Sequence, residues 1–328
     1  MAATLVRAQA VGLTGAMTWD DGKQYLEEMA PGVYAFVQPD GGWMVNNCGV
    51  ITDESGDAVI VDTTSTERRN RAFLAEVAGV SARDPKIAVN THSHPDHTYG
   101  NGFLPPTTTI IGHHLCREGV LRAGLAATKE LPADYGDLVV RAPDVTIDSD
   151  IAIHLEERPV ELTILGPAHT SHDIGVWLPE EKVLFAGDLA FAGGHPIFLD
   201  GSMLGFKRAT QRMRELAPEV LLPGHGPVRR GEQVLELLDR QERYVDWIAA
   251  VAAESYAAGL TPLEAAQKAL HSGDHPYAEW PESERVVCNL HRAYAETTDY
   301  RVDHPLNIPN LWSEMVALNG GQPIETHA

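Results

Sequence analysis

The sequence contains little cysteine and little positive charge, and each shortage excludes a class of protein. Its three cysteines lie far apart and form no C-x-x-C pair, so we expect neither a disulfide framework nor a cysteine-based zinc knot. Only 25 Lys and Arg residues stand against 46 Asp and Glu residues, for a formal charge of −21. Nucleic acids and anionic membrane surfaces both recruit clustered Lys and Arg, so neither is an expected partner.

Long apolar runs are also missing. The first 20 residues are mildly apolar, but Arg7, Gln9 and two glycines interrupt them, whereas a secretory signal has a denser apolar run. No segment approaches the ~18 consecutive apolar residues of a membrane-spanning helix. The sequence therefore predicts a cytoplasmic protein.

The order of the predicted elements indicates two β-sheets packed back to back with helices outside. Short β-type segments fill residues 32–64, a helical pattern follows at 65–80, and a buried strand is predicted at 86–91. The second half repeats this outline with the segments IAIHL, VELTIL, IGVWL and VLFAGD, and from Arg230 onward the pattern is almost entirely helical. We expect an N-terminal extension at 1–29, a catalytic core at 30–230 and a helical C-terminal extension at 231–328, packed on the core.

A cluster of histidines follows directly on the strand predicted at 86–91. In the run THSHPDH, His92 and His94 are two residues apart on an extended segment, so both side chains point the same way and can hold one metal ion. Asp96 and His97 follow in the turn and can reach a second ion. Four ligands cannot complete two tetrahedral shells, so further ligands must come from elsewhere in the chain.

Three residues at the ends of later strands can supply those ligands. His169 follows VELTILGPA, Asp188 ends VLFAGD and His225 ends VLLPGH, each with glycine close by that lets the backbone approach closely. A set of nitrogen and oxygen ligands without thiolate suits two zinc ions, and iron or manganese would also be accepted.

The H-x-H-x-D-H signature, the later histidine, the aspartate and the final histidine together resemble the metallo-β-lactamase superfamily over roughly residues 30–230. The resemblance implies an α+β fold, an αββα sandwich, with His92, His94 and His169 on one ion. It places Asp96, His97 and His225 on the other ion, Asp188 between the two, and Asp62 as a buried support behind the ligands. A metal-bound hydroxide would be the reagent, with Asp96 and Asp188 as catalytic carboxylates.

The sequence also bears on the substrate. Metallo-β-lactamases with a Cys or Ser ligand lack an aspartate at the position of Asp188, and quorum-sensing lactonases have a tyrosine where this chain has Phe191. The stretches GVYAFVQPDGGWMVNNCGVI, NTHSHPDHTYGNGF and MVALNGGQPIETHA resemble the actinomycete metallo-β-lactamase-like cyclases of aromatic polyketide biosynthesis. That resemblance implies a cyclase or thioesterase acting on a free small molecule or a carrier-protein-bound substrate through a metal-stabilised enolate or oxyanion. A general hydrolase of lactones, esters or thioesters and an iron-dependent dioxygenase on the same ligands stay open.

The expected substrate pocket draws on several loops. Trp43 either offers a flat face to an aromatic substrate or packs on its own sheet. The C-terminal helices are expected to form core or a homodimer interface. The residues expected to line the pocket are Trp43, Met44, Tyr99, His172, Phe191, His195 and Phe198.

Overall fold

The computed structural model describes residues 23–271, 275–299 and 303–328. Within these ranges the strands form one sheet of seven and one of six, and no helix is long and apolar enough to cross a membrane. Most of the expected N-terminal extension, residues 1–22, lies outside the described residues.

The first sheet follows chain order from edge to edge. Its first four strands are antiparallel, and the pairings from the fourth to the seventh are parallel. The strands are β1 (Tyr25–Ala30), β2 (Val33–Val37), β3 (Cys48–Thr52), β4 (Ala58–Val61), β5 (Ile87–Val89), β6 (Thr109–His113) and β7 (Val145–Ile147). The sheet thus begins inside the segment expected to be an N-terminal extension. The reason is that β1 pairs along β2, with Leu26 opposite Phe36, and so forms an edge strand.

The second sheet has the order β13-β12-β11-β10-β9-β8. Its one parallel pairing joins β11 to β12, and the other pairings are antiparallel. The strands are β8 (Ile151–Leu155), β9 (Arg158–Ile164), β10 (Ile174–Leu178), β11 (Val183–Phe191), β12 (Val220–His225) and β13 (Arg229–Arg230).

Helices cover the outer faces of both sheets. Helix α1 begins after Thr66, whose side chain accepts a hydrogen bond from the Arg69 N–H, and α5 begins after Ser202, which caps the Gly205 N–H in the same way. The α-helices are α1 (Glu67–Val80), α2 (Pro95–Thr98), α3 (His114–Ala123), α4 (Ala127–Glu130), α5 (Met203–Leu216), α6 (Glu232–Ala257), α7 (Pro262–His271), α8 (Arg285–Thr298) and α9 (Leu311–Leu318).

Strand β4 shows why the core has layers. Successive side chains of a strand point to opposite faces, and every β4 side chain is apolar and buried. Val59 and Val61 pack into the cluster between the two sheets, whereas Ala58 and Ile60 pack into the cluster beneath α1. A sheet covered on both faces is the centre of an αββα sandwich, which confirms the predicted α+β fold.

The C-terminal helices share one hydrophobic cluster with the outer face of the second sheet. Leu238 and Tyr244 of α6 and Leu290 of α8 lie in that cluster with residues of β11. The side chain of Gln241 accepts a hydrogen bond from the Phe191 N–H at 2.6 Å and donates to the Leu189 carbonyl at 3.1 Å. Helix α6 therefore fixes the end of β11, the strand that carries Asp188.

Candidate metal centre

The first sheet supplies the histidine motif. Strand β5 ends at Val89, the chain turns, and α2 begins at Pro95, so the motif lies at the carboxyl end of a parallel strand. His92 and His97 are fully buried, while the His94 side chain retains 24% of its exposure. The rings of His92 and His97 are therefore enclosed by protein, whereas the ring of His94 is partly exposed to solvent.

The second sheet supplies the other three expected ligands. His169 lies in the loop after β9, Asp188 lies within β11, and His225 ends the neighbouring parallel strand β12. Glycine is required at position 224 because a Cβ there would occupy the space of the Asp188 carboxylate. The small residue lets two adjacent strands bring their ligands together.

The seven residues form two adjoining groups, each able to hold a metal ion. One comprises His92, His94, His169 and Asp188; the other comprises Asp96, His97 and His225. Asp188 Oδ2 lies 3.2 Å from both His169 Nε2 and His225 Nε2, one nitrogen from each group. A tetrahedral zinc ion with bonds of about 2.0–2.1 Å holds its ligand atoms about 3.3 Å apart. These separations match such a shell, and Asp188 contacts both groups as a bridging carboxylate would.

Acceptors behind the histidines of the first group fix where their protons lie. The carbonyl of Ile197 lies 2.6 Å from His169 Nδ1 and can only accept, so this nitrogen carries the proton and Nε2 is a lone pair. The Asp200 carboxylate, 3.0 Å from His94 Nε2, likewise accepts from that nitrogen, so in the neutral ring the lone pair of His94 is on Nδ1. The two lone-pair nitrogens face each other at 2.8 Å. Two such nitrogens repel unless a cation lies between them.

Asp62 fixes the motif from behind. Its Oδ1 accepts the Thr91 N–H and its Oδ2 accepts the Thr91 hydroxyl, both at 2.7 Å, and Oδ2 also lies 2.8 Å from His97 Nδ1. Because the Thr91 hydroxyl donates to Asp62, its oxygen accepts from His92 Nδ1 at 3.1 Å. Asp62 has a φ of 60°, a strained left-handed conformation for a non-glycine residue. The structure thus places Asp62 directly behind His97 and Thr91, the position that the family resemblance implies for it.

The inward-facing atoms fit metal ions better than hydrogen bonds. His92 Nε2, His97 Nε2 and Asp188 Oδ1 are buried without a hydrogen-bond partner. His97 Nε2 and Asp188 Oδ1 are 3.0 Å apart, but their orientation is not that of a hydrogen bond. Burial lowers the pKa of His169 to about 3, so its ring is neutral and its Nε2 lone pair can bind a metal ion. Unpartnered nitrogen and carboxylate donors in this arrangement are what a divalent metal ion requires.

Asp200 is a residue of the centre that the sequence did not reveal. It lies in the loop after β11, next to a glycine, and no strand or helix pattern marks it. Its carboxylate holds His94 and also lines the pocket over the metal groups. An Asp-Gly pair in a loop is an ordinary turn signal, so the sequence offered no sign of this role.

The metal groups open into a pocket of about 270 Å³. The C-terminal helices supply one of its walls. Trp43 belongs to this pocket and does not pack on its own sheet: its Nε1 donates to Glu284 at 2.6 Å, and the Arg285 guanidinium lies 4.3 Å from its ring centroid. The lining residues are Trp43, Met44, His94, Pro95, Asp96, Ala127, Glu130, Leu131, Asp188, Phe191, Ile197, Leu199, Asp200, His225, Arg285, Cys288, Leu311, Trp312 and Met315.

Four residues expected in this pocket lie elsewhere, which corrects their placement. Tyr99 packs edge-on against Tyr135, 6.1 Å between ring centroids. His172 is buried beside His113, and its Nδ1 lies 3.0 Å from the Ser171 hydroxyl.

His195 and Phe198 are the other two. Both are fully buried against Tyr244, with His195 Nδ1 3.0 Å from its hydroxyl. Ile197 and Leu199 line the wall instead. The prediction was wrong because this loop has no strand periodicity that would show which side chains face inward.

Comparison with known sequences agrees with this geometry. The sequence model of the metallo-beta-lactamase superfamily matches residues 41–225, a range that contains all seven expected ligands. Subunit beta of 2,4-dinitroanisole O-demethylase from Nocardioides sp. (strain JS1661) is 26% identical over 273 residues, 76% of this chain and 79% of that protein. Metallo-beta-lactamase type 2 of Bacteroides fragilis is 22% identical over 211 residues, 61% of this chain and 78% of that protein.

Solved structures share the fold. A metallo-beta-lactamase from Pontibacter korlensis aligns with a TM-score of 0.53 and 20% identity, over 66% of this chain and 99% of that one. The sec-alkylsulfatase Pisa1 from Pseudomonas sp. aligns with a TM-score of 0.65 and 19% identity, over 83% of this chain and 50% of that one. Three observations agree: the match of the family model, the two sheets with outer helices, and the two His/Asp groups at the strand ends. The chain therefore belongs to the metallo-beta-lactamase superfamily.

Proposed function

We propose that the protein is a dinuclear zinc enzyme that acts on a carbonyl group of a flat, mainly apolar substrate, as a cyclase or thioesterase on an aromatic polyketide intermediate. The observation that carries this proposal is the pocket: its walls are largely apolar and aromatic, and it opens directly onto the two His/Asp groups. A few polar groups at the end of an apolar cleft are typical of a site that binds a small molecule and reacts with one part of it.

The polar end of the pocket provides the chemistry. Two zinc ions held by these ligands would lower the pKa of water to about 7 and polarise a substrate carbonyl. Asp96 and Asp188 both line the pocket, and Asp96 Oδ2 lies 3.4 Å from His225 Nε2. The second carboxylate oxygen of Asp96 would stay free to accept a proton from water or from the substrate. A proton-accepting carboxylate beside the reacting carbonyl serves both hydrolysis and removal of an α-proton before ring closure.

The apolar end determines the shape of the substrate. Phe191 stacks on His225 with 4.9 Å between ring centroids and an interplanar angle of 5°, so it offers a flat surface next to the metal groups. It has no hydroxyl group, and so it cannot donate a hydrogen bond to a lactone. Trp43 and Trp312 add aromatic surface on the walls. A planar ring system stacks on such surfaces, which favours an aromatic substrate.

Hydrolysis of an aromatic ether or ester is a second candidate. The relative from Nocardioides, named as a dinitroanisole O-demethylase subunit, is aligned over 76% of this chain. A methoxyarene is flat and apolar, and it would fit the same walls. Iron in place of zinc would redirect the site toward the dioxygenase alternative, so the metal content has to be measured first.

The test compares ring closure with hydrolysis on one probe. The purified protein is analysed for metal and incubated with the N-acetylcysteamine thioester of an aromatic poly-β-ketone. Aldol closure with loss of water lowers the mass of the product, whereas hydrolysis releases the thiol and adds the elements of water. We expect two zinc ions per chain and a cyclised product. His94→Ala should abolish turnover, and His154→Ala, which changes an exposed histidine of β8, should not. Hydrolysis of the thioester without cyclisation would narrow the proposal to the thioesterase, hydrolysis of 2,4-dinitroanisole would favour the second candidate, and iron alone would refute both.

A further inference from the structure

The C-terminal segment, residues 322–328, lies against the loop that joins β2 to β3. His327 donates its backbone N–H to the Trp43 carbonyl at 3.0 Å, and its Nδ1 lies 2.8 Å from both carboxylate oxygens of Asp40. Arg69 of α1 donates to the His327 carbonyl at 2.6 Å. Both the backbone and the side chain of His327 are thus bound to the core.

The contact leaves no spare room in the loop. A Cβ at Gly42 would lie 2.7 Å from the His327 ring, so the ring rests directly on the loop backbone. Asp40 Oδ1 also accepts the Gly42 N–H at 3.1 Å. The Asp40 carboxylate therefore links the His327 side chain to the backbone N–H of Gly42, the residue that follows Gly41.

Gly41 holds one of the expected metal ligands. Its carbonyl accepts a hydrogen bond from His225 Nδ1 at 2.8 Å, which leaves His225 Nε2 as the lone pair that faces Asp96 and Asp188. The backbone around His225 is held separately, because Asn47 donates to the Pro223 carbonyl at 2.9 Å and to the Gly226 carbonyl at 2.7 Å. The Gly41 carbonyl therefore governs the orientation of the His225 ring rather than the position of its backbone.

We propose that the C-terminal segment is a positioning element for the second metal group: His327, through Asp40, holds the Gly41 carbonyl where it orients the His225 ring. This inference rests on the proposed binding of two metal ions. Hydrogen-bond acceptors behind a metal-ligating histidine fix its ring and its tautomer, and their loss typically costs about 10- to 100-fold in metal affinity. His327 acts one residue further back, so we expect an effect of about tenfold.

The experiment measures zinc affinity site by site. Zinc is titrated into metal-free protein in competition with a chromophoric chelator, and two dissociation constants are fitted. In His327→Ala, one constant should rise about tenfold and the other should stay at its wild-type value. His327→Asn keeps an N–H donor near the position of Nδ1 and should recover most of the affinity. His291→Ala is the matched control, because it removes a histidine–carboxylate pair with Glu314 (2.6 Å) that has no contact with this loop.

Three outcomes would overturn the inference. Unchanged constants in His327→Ala would mean that the segment does not position His225. Equal weakening at both sites, or a fall in unfolding temperature that accounts for the loss, would mean a general structural role. Failure of the wild-type protein to bind a second ion would instead refute the proposed two-metal function, which keeps the two failures distinct. His327 retains 34% of its side-chain exposure, so the alanine variant is expected to fold.

Discussion

Replacing Asp62 by asparagine tests the geometry of the second metal group most sharply. Both oxygens of Asp62 accept hydrogen bonds, and the backbone N–H of Thr91 occupies Oδ1. Because that donor belongs to the backbone and cannot rotate away, the amide oxygen of an asparagine must face it. The amide nitrogen then faces His97 Nδ1 and donates to it, which moves the His97 proton to Nε2. His97 would present an N–H to the metal group in place of a lone pair.

The expected loss follows from this change of tautomer. Disturbing an outer partner of a metal-ligating histidine costs about 10- to 100-fold in affinity, or about 1.4–2.8 kcal/mol. We expect Asp62→Asn to lie at the upper end, because the proton blocks the ligand atom itself. The first group should lose less affinity, since His94 and His169 have other acceptors and only His92 depends on Asp62, through the Thr91 hydroxyl.

A two-site zinc titration measures the change, and the absorption spectrum of the cobalt-substituted protein reports the loss of a nitrogen ligand. Asp173→Asn is the matched control, because Asp173 is a buried carboxylate that accepts the Thr170 N–H and hydroxyl without touching a ligand ring. Wild-type affinity at both sites in Asp62→Asn would refute the tautomer argument. Loss at the first group alone would refute the division of ligands.

Three further predictions concern the packing around the centre. Gly224→Ala places a Cβ in the space of the Asp188 carboxylate, so zinc affinity should fall at least about 10-fold in a metal titration, and full retention would contradict the geometry. Arg285→Met leaves the buried carboxylate of Glu282, 2.8 Å from Arg285, without its partner and should cost about 3 kcal/mol in urea unfolding; adding Glu282→Gln should restore most of this. The His327–Asp40 pair contributes about 0.5–1 kcal/mol. The hydrogen bond between the two side chains raises the pKa of His327 above 6.5. Burial alone would raise the pKa of Asp40, but this bond and the hydrogen bond from the Gly42 N–H lower it below 3.8. The stability difference between wild type and His327→Ala should therefore be full between pH 3.8 and 6.5, then shrink as pH rises through the raised pKa of His327 or falls through the lowered pKa of Asp40. A difference that grows above pH 7 would contradict this sign.

The sequence allowed the fold class and the candidate ligands to be predicted because both depend on short-range patterns, whereas the division of the ligands between two ions came from the family resemblance. Buried strands are recognisable as compact apolar runs, and the carboxyl ends of neighbouring strands meet at one edge of a sheet. His225 and Asp188 illustrate this, since each ends or lies in such a strand and the two strands are neighbours. The glycine at 224 marked the close approach.

The pocket walls could not be predicted in the same way, because they depend on contacts between distant parts of the chain. Trp43 and Glu284 are 241 positions apart, and no periodicity relates them. In the loop after β11, Ile197 and Leu199 face the pocket while Phe198 packs behind, a choice that coil sequence does not encode. Strand β1 escaped recognition because its residues are only partly buried at the edge of the sheet.

The division of the ligands between the two sheets has a consequence for assembly of the molecule. The first sheet carries His92, His94, Asp96 and His97, and the second carries His169, Asp188 and His225. Each metal group takes residues from both, so a half-molecule has no complete coordination shell. Metal ions bound there would link the two sheets. Ions that bind only the native state stabilise it by mass action. Metal content is thus a measure of correct docking of the two halves, and chelation should favour their separation.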